Sequence, residues 1–232
     1  EVMRMILEAV YEPIFLDVSH GFRPNRSCHT ALEQIKHEFT GARWFIEGDI
    51  KGCFDNIDHE TLVSIVNRKI KDARFIQLLW KILKAGYLED WRYNKTFSGT
   101  PQGGIISPIL ANIYLHELDK EIIEIRKRFY KPRERAYTPE YSKLQHEIRA
   151  VKTKISRAEG EVKAELIREL KEVRKRQRST PCVSQTDKRL SYVRYADDFI
   201  IGVVGSREDC EQIKQELTEY VAEKLKMELS AE

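Results

Sequence analysis

The sequence predicts an α+β fold, a small antiparallel sheet backed by helices with a separate helical insertion. Three observations predict it. Two runs rich in β-branched and aromatic residues read as strands: W-F-I-E-G-D-I (44–50) and R-L-S-Y-V-R-Y-A-D-D-F-I-I-G-V-V-G (189–205). Most of the remaining chain spaces its apolar residues by three and four, the helical period. Residues 140–178 are helical in pattern but polar and strongly charged, as expected of a segment outside the main core.

Taken in order, residues 3–16 read as a helix that ends near Pro13. H-G-F-R-P-N-R-S follows as a loop punctuated by Gly21 and Pro24. Ser27 is placed to cap the next helix, whose Cys28, Leu32, Ile35 and Phe39 form one apolar face before Gly41. Trp44–Ile50 is expected as a buried strand ending on a carboxylate. Asp58 caps a helix over 59–70, and another covers 73–85 and stops before Gly86. Residues 86–104 are turn-rich with short strands and end in G-T-P-Q-G-G. A long helix spans 107–128, and Pro132 and Pro139 interrupt the chain after it. Tyr141, Leu144, Ile148, Val151 and Ile155 then form a seam that Val162, Leu166, Leu170 and Val173 continue beyond Gly160. A helical hairpin and one long helix both fit that pattern. Residues 189–205 read as a hairpin with Asp197 and Asp198 at its tip. A last helix over 207–226 turns Cys210, Ile213, Leu217, Tyr220 and Val221 inward.

Composition narrows the function. With 232 residues, 41% of them hydrophobic, the chain can bury a substantial core. No run reaches the roughly 18 apolar residues of a membrane span. Cys28, Cys53, Cys182 and Cys210 are far apart, with no zinc-ligand spacing, and read as reduced thiols. The opening has no initiator Met and no basic leader, so a piece of a longer cytoplasmic or organellar protein is expected. Net charge is only +3, yet residues 126–189 hold 20 Lys and Arg against 9 Asp and Glu. That asymmetry points to a polyanionic partner.

Two adjacent aspartates flanked by apolar strand are costly unless something positive meets them. Aspartate also favours turns, which is the plainer explanation. Asp49 ends the other strand run in a matching position. Three carboxylates at strand ends suit a divalent cation with oxygen ligands, such as magnesium. Two such ions about 4 Å apart serve nucleotidyl transfer.

Four segments stand in a fixed order: G-F-R-P-N-R-S, W-F-I-E-G-D-I-K-G-C-F-D-N-I-D-H, G-T-P-Q-G-G-I-I-S-P-I-L-A-N-I-Y-L, and Y-A-D-D. In this the chain resembles a reverse transcriptase, most closely the group II intron-encoded kind, the maturases, over residues 5–128 and 190–232. The resemblance implies a right-hand polymerase palm with mostly helical fingers. It divides the chain into partial fingers (1–44), palm with fingers helices (45–128), a basic insertion (129–189) and the rest of the palm (190–232). It implies that Asp49, Asp197 and Asp198 are catalytic and hold two Mg2+ ions, with the Ile50 carbonyl completing one shell. The backbone of Lys51, Gly52, Cys53 and Phe54 would lie along the triphosphate, and Phe54 would act as the steric gate that selects deoxynucleotides. Gln102 would pack on the incoming nucleotide, and Gly103 and Gly104 would let the backbone approach substrate. Asp55 and Asp58 read as turn and cap residues.

Arg23, Asn25 and Arg26 in the first loop would face RNA, although holding the loop to a neighbouring carboxylate is an equally ordinary role for an arginine. The insertion, with Lys171, Arg174, Lys175, Arg176 and Arg178, would grip structured intron RNA, or its seam would instead form a homodimer. The resemblance also implies parts beyond this chain: an earlier strand pair of the fingers, a lysine just after Glu232, and a thumb. The implied partners are group II intron RNA, an RNA template with primer, and deoxynucleoside triphosphates. The implied function is RNA-directed DNA synthesis combined with splicing assistance. A purely RNA-binding splicing cofactor is the rival, and Phe54 speaks against an RNA-dependent RNA polymerase.

Overall fold

The structure is a computed structural model that describes residues 1–89, 92–94, 98–100, 104–132, 137–182 and 187–230. It falls into two compact units, Glu1–Tyr130 with Arg189–Glu232, and Lys131–Lys188. The first unit runs α1 (Val2–Tyr11), α2 (Cys28–Glu38), β1 (Trp44–Gly48), α3 (Cys53–Asn56), α4 (His59–Lys69), α5 (Ala73–Lys84), β2 (Tyr87–Glu89), β3 (Arg92–Asn94) and α6 (Ser107–Phe129). The second holds α7 (Pro139–Ile155) and α8 (Gly160–Ser179). The chain then returns to the first through β4 (Arg189–Tyr195), β5 (Asp198–Val204) and α9 (Arg207–Lys224).

Caps set the helix starts. Ser27 and Thr30 form a reciprocal capping box at α2, and Ser206 and Asp209 form another at α9. Asp58 accepts from the Thr61 N–H at 3.0 Å and Asp72 from the Phe75 N–H at 2.8 Å. Each such cap contributes about 1 kcal/mol. Pro13 lies in a 3-10 turn, Glu12–Ile14, directly after α1.

The sheet has order β1-β5-β4, all antiparallel. Its two faces follow the strand alternation. Leu190, Tyr192, Phe199, Ile201 and Val203 join the main core with α6 and α9, whereas Val193 packs with Ala31 and Phe39 on the α2 side. Gly48 pairs with Phe199, and a side chain at Gly48 would overlap the Phe199 ring. The glycine next to Asp49 is therefore a packing requirement of the β5 aromatic. α6 is 23 residues long and buried on several sides from Ile109 to Ile125, which makes it the spine of this unit.

Three expectations are corrected. α2 turns Ala31 and Phe39 inward, while Leu32 is 62% exposed and Cys28 is exposed. Small Ala31 lets the helix approach β4, which rotates Leu32 away. β1 is an edge strand rather than a buried one, with only Ile46 buried and Phe45 51% exposed. The short helix α3 was not foreseen, because four residues are too few for a periodic signal.

In the second unit α7 and α8 form a helical hairpin, so one long helix is excluded. Gly160 opens α8 with a left-handed φ of +63°. Ile148, Val151 and Val173 are the buried part of the seam, and Val162 is exposed. Backbone bonds between Lys131 and Lys188, at 2.9 and 3.0 Å, close the base of the unit.

Candidate active site

Register sets the three aspartates at one end of the sheet. Gly48 pairs with Phe199, so Asp49, one residue on, comes beside Asp198, the first residue of β5. Asp197 lies in the turn between β4 and β5. The chain after α9 returns along the other side of Asp49. Ile50 bridges Leu229, the Ser230 N–H donates to the Asp49 carbonyl at 2.7 Å, and the Lys51 N–H donates to Glu228 at 3.1 Å. The backbone carrying Asp49 is thus fixed from both sides.

Among the described residues no basic side chain pairs with Asp49, Asp197 or Asp198. Burial raises the Asp198 carboxyl above the usual range, and the charges of Asp197 and Asp49 raise it further. Behind them the buried Cys53 thiol is pushed up to about 12, by burial first and then by Asp197. Burial is the larger cause in both, and the neighbouring carboxylates add to it. Among the described residues no three His, Cys, Asp or Glu side chains are gathered closely enough to hold a metal by themselves. Hard oxygen donors still fit magnesium, which takes one or two carboxylates and completes its shell with water and substrate phosphate. The Ile50 carbonyl accepts from the Cys53 N–H at 3.1 Å and keeps a second lone pair. Of the four backbone N–H groups expected along a triphosphate, those of Lys51 and Cys53 are already committed. The return strand takes the first and the tight turn into α3 the second.

A buried arginine fixes the aspartate turn. Arg194 and Asp119 are fully buried and paired through two hydrogen bonds, 2.8 Å from Nε and 2.7 Å from Nη2. Arg194 also donates to Ser19 Oγ at 2.8 Å, Asn112 Oδ1 at 3.1 Å and the Ala196 carbonyl at 2.6 Å. The Tyr192 hydroxyl donates to Asp119 at 2.7 Å. Burial opposes the charge on Arg194, but the Asp119 carboxylate outweighs it and holds the guanidinium charged. Ala196 takes a left-handed φ of +58°, and the arginine ties its carbonyl directly before Asp197. Sequence reasoning missed this group. Its signal was present: Asn112, His116 and Asp119 recur at four and three on the otherwise apolar inward face of an amphipathic helix.

Phe54 is partly buried against the core. The segment after it is strapped to residues 98–100. Thr100 N–H donates to the Phe54 carbonyl at 2.6 Å, Gly99 N–H to Ile57 at 2.8 Å and Ser98 Oγ to Asp55 at 2.9 Å. His59 Nε2 meets the Gly99 carbonyl at 2.6 Å. Gln102 and Gly103 lie outside the described residues. Asp55 belongs to α3, and Asp58 caps α4 and accepts from Lys226 at 2.8 Å. Between α2 and the carboxylate end of the sheet lies a cleft of about 510 Å3, walled by Leu32 and Ile35 and bordered by Asp49, Tyr195 and Asp198.

The first-loop arginines divide. Arg23 is buried, with its guanidinium on Glu12 at 2.8–3.2 Å and on the Leu16 and Ser19 carbonyls. It holds the loop rather than facing RNA, the second of the two roles open to it from the sequence. Arg26 meets Asp17 at 2.5 Å on the surface, and Asn25 is exposed with φ +59°. On α8, Lys171, Arg174, Lys175 and Arg178 share one exposed face around a shallow hollow. Arg176 lies off that face and pairs with Glu147 of α7 at 3.1 Å.

A small antiparallel sheet backed by helices, with three aspartates at one end, defines a polymerase-type palm, and comparison with known proteins agrees. Residues 1–165 match the reverse transcriptase (RNA-dependent DNA polymerase) family, and the chain belongs to that family. It is 60% identical over all 232 residues to the group II intron-encoded protein LtrA of Lactococcus lactis, covering 39% of that protein. It is 47% identical over 220 residues to a protein encoded in the cob intron of Schizosaccharomyces pombe, covering 94% of this chain and 26% of that one. The chain thus spans about two fifths or less of the length of these relatives. Telomerase from Candida tropicalis shares the fold with a TM-score of 0.52 at 12% identity, over 99% of this chain and 38% of that one. The relatives come from bacteria and from organellar introns. Among the described residues no helix is long and apolar enough to cross a membrane.

Proposed function

We propose that this chain carries the polymerising centre of a group II intron reverse transcriptase, which copies RNA into DNA and also binds its intron RNA as a maturase. The observation that carries the reading is the meeting of Asp49 with Asp197 and Asp198 at adjacent strand ends without a basic partner among the described residues. Those carboxylates, with the Ile50 carbonyl, would hold two magnesium ions. Bound there, the ions would activate a primer 3′-hydroxyl and offset charge on the leaving pyrophosphate. The protein's own contribution is positioning: the returning segment 228–230 fixes Asp49, Arg194 fixes the turn before Asp197, and the 98–100 strap ties down the backbone from Phe54 to Ile57. Phe54 would select deoxynucleotides by occupying the space of a 2′-hydroxyl. The test is primer extension on an RNA template with magnesium and deoxynucleotides. Templated extension supports the reading. No extension with RNA binding intact would leave a non-catalytic RNA-binding module, the alternative that the basic α8 face favours.

That face gives a second test. Phosphate contacts supply affinity that falls steeply with salt and carries little base specificity. Lys171, Arg174, Lys175 and Arg178 stand at the spacing of one helix stripe, exposed and close together. Changing these four to Gln is expected to weaken binding to structured intron RNA and to flatten the slope of log affinity against log salt by about three units. Arg176→Gln, off the stripe, is expected to change the slope by less than one. An unchanged slope in the fourfold variant would remove α8 from the RNA interface. Homodimerisation through the seam is a weaker reading, because the α7–α8 pairing already buries Ile148, Val151 and Val173.

A further inference from the structure

We propose that Phe22 is a positioning residue for substrate choice, bracing the Phe54 ring so that deoxyribonucleoside triphosphates are accepted over ribonucleoside triphosphates. The proposal rests on reading Phe54 as the sugar gate. Phe22 and Phe54 stand edge to face, with ring centroids 6.2 Å apart at 73°. Phe22 is 55% exposed and holds a left-handed φ of +55°. A bulky aromatic residue is disfavoured in that region, where Gly or Asn would be easier, and an exposed phenylalanine gains little from burial. Neither the turn nor the core accounts for the residue.

Its surroundings hold it firmly. The segment before it pairs in parallel with the end of β4: the Arg194 N–H donates to Val18 at 2.8 Å and the His20 N–H donates to Arg194 at 2.9 Å. Gly21 lies so close to Ala196 that any side chain there would overlap the Ala196 backbone. The Gly21 carbonyl accepts from Asn112 Nδ2 at 2.8 Å. On the other side, buried Arg23 is fixed by Glu12, Leu16 and Ser19. Phe22 is thus an exposed ring on a rigid mount. That mount also carries the aspartate turn through Ala196 and Arg194. One short segment therefore sets the gate ring relative to the carboxylates. Phe54 itself sits on the four-residue helix α3, where one side of its ring packs on the core and Phe22 meets it from the loop. Edge-to-face aromatic contact sets the angle of the ring on that side.

The test is single-nucleotide incorporation of dTTP against UTP on an RNA template, with wild type, Phe22→Ala, Phe22→Tyr and Phe54→Ala compared. Phe54→Ala is expected to collapse the preference for dTTP. Phe22→Ala is expected to lower the dTTP-to-UTP ratio of kcat/KM by about 3–10-fold, through gained UTP use, with dTTP kcat/KM within about threefold of wild type. Phe22→Tyr, which keeps the ring, should restore the ratio. A parallel assay uses a dideoxy-terminated primer, so that dTTP and UTP binding is read without turnover. An unchanged ratio for Phe22→Ala where Phe54→Ala shifts it overturns the proposal and leaves the gate standing. A wild-type chain with no preference in either assay, or a silent Phe54→Ala, removes the gate reading and the proposal with it. An equal loss with both nucleotides would make Phe22 a plain structural residue and also overturns it.

Discussion

Asp197→Asn is expected to lower primer extension by about a thousandfold while leaving RNA binding and the melting temperature close to wild type. The substitution keeps the shape of the side chain and removes one negative charge and one anionic oxygen. A catalytic metal site supplies several kcal/mol of transition-state charge stabilisation. At about 1.36 kcal/mol per tenfold in rate, losing such a share gives roughly three powers of ten. Folding should not suffer, because Asp197 lies in the turn and has no hydrogen-bonding or ionic partner among the described residues. Asp197 is also one of the charges that raise the Asp198 carboxyl. Removing it should let Asp198 ionise at lower pH, a shift that carboxylate NMR can follow. Asp58→Asn is the matched control. Asn caps a helix as well as Asp, so this change gives up only the exposed pair with Lys226, and it should cost less than about 1 kcal/mol of stability and leave the rate nearly intact. An Asp197→Asn chain that retained extension within tenfold of wild type would remove Asp197 from the metal site.

The sequence carried most of this arrangement, for reasons that differ by element. The Asp197-Asp198 hairpin was readable because its flanks are β-branched and aromatic while its tip is not. Asp58 was readable as a cap because its position precedes an apolar stripe. The seam and Gly160 left a helical hairpin and one long helix both open for the second unit, and only the fold decided for the hairpin. What escaped was set by tertiary contact. The outward turn of Leu32 depends on how closely Ala31 meets β4, which no periodicity records. The exposure of β1 depends on its place at the sheet edge. Arg23 looked like an RNA ligand because an arginine in a loop usually reaches solvent. Glu12, eleven residues earlier and just past α1, captures it instead. The Lys51 and Cys53 N–H groups looked free because their partners, Glu228 and the Ile50 carbonyl, emerge only on folding. At the site the aspartates were legible by type and order, whereas the group that aims them was not. Arg194 hides in a strand and Asp119 in a helix 75 residues away.

That buried pair yields the second large effect. Asp119→Ala is expected to destabilise the chain by about 3–5 kcal/mol, because it leaves the Arg194 charge buried without its counter-ion. For a unit of this size that is a fall of roughly 10 °C in melting temperature. Tyr192 would lose its acceptor as well, adding an unsatisfied hydroxyl to the core. Removing both charges is a different case. Buried ion pairs can be exchanged for apolar groups of similar volume at little cost or even with gain, so Arg194→Met with Asp119→Leu should recover much of the stability. Stability alone is therefore a poor reason for the pair to exist. Its other bonds give a better one. Arg194 holds the Ala196 carbonyl, the Ser19 hydroxyl and the Asn112 amide, and so joins the aspartate turn to the loop that carries Phe22. The double variant should fold, bind RNA and still extend primers poorly, because Ala196 would be free to relax from its left-handed φ and carry Asp197 out of line with Asp49. Urea unfolding and primer extension on the same samples separate the two roles. Full recovery of extension in the double variant would reduce the pair to a structural strut. Recovery of folding without extension would show that its work is to aim the turn.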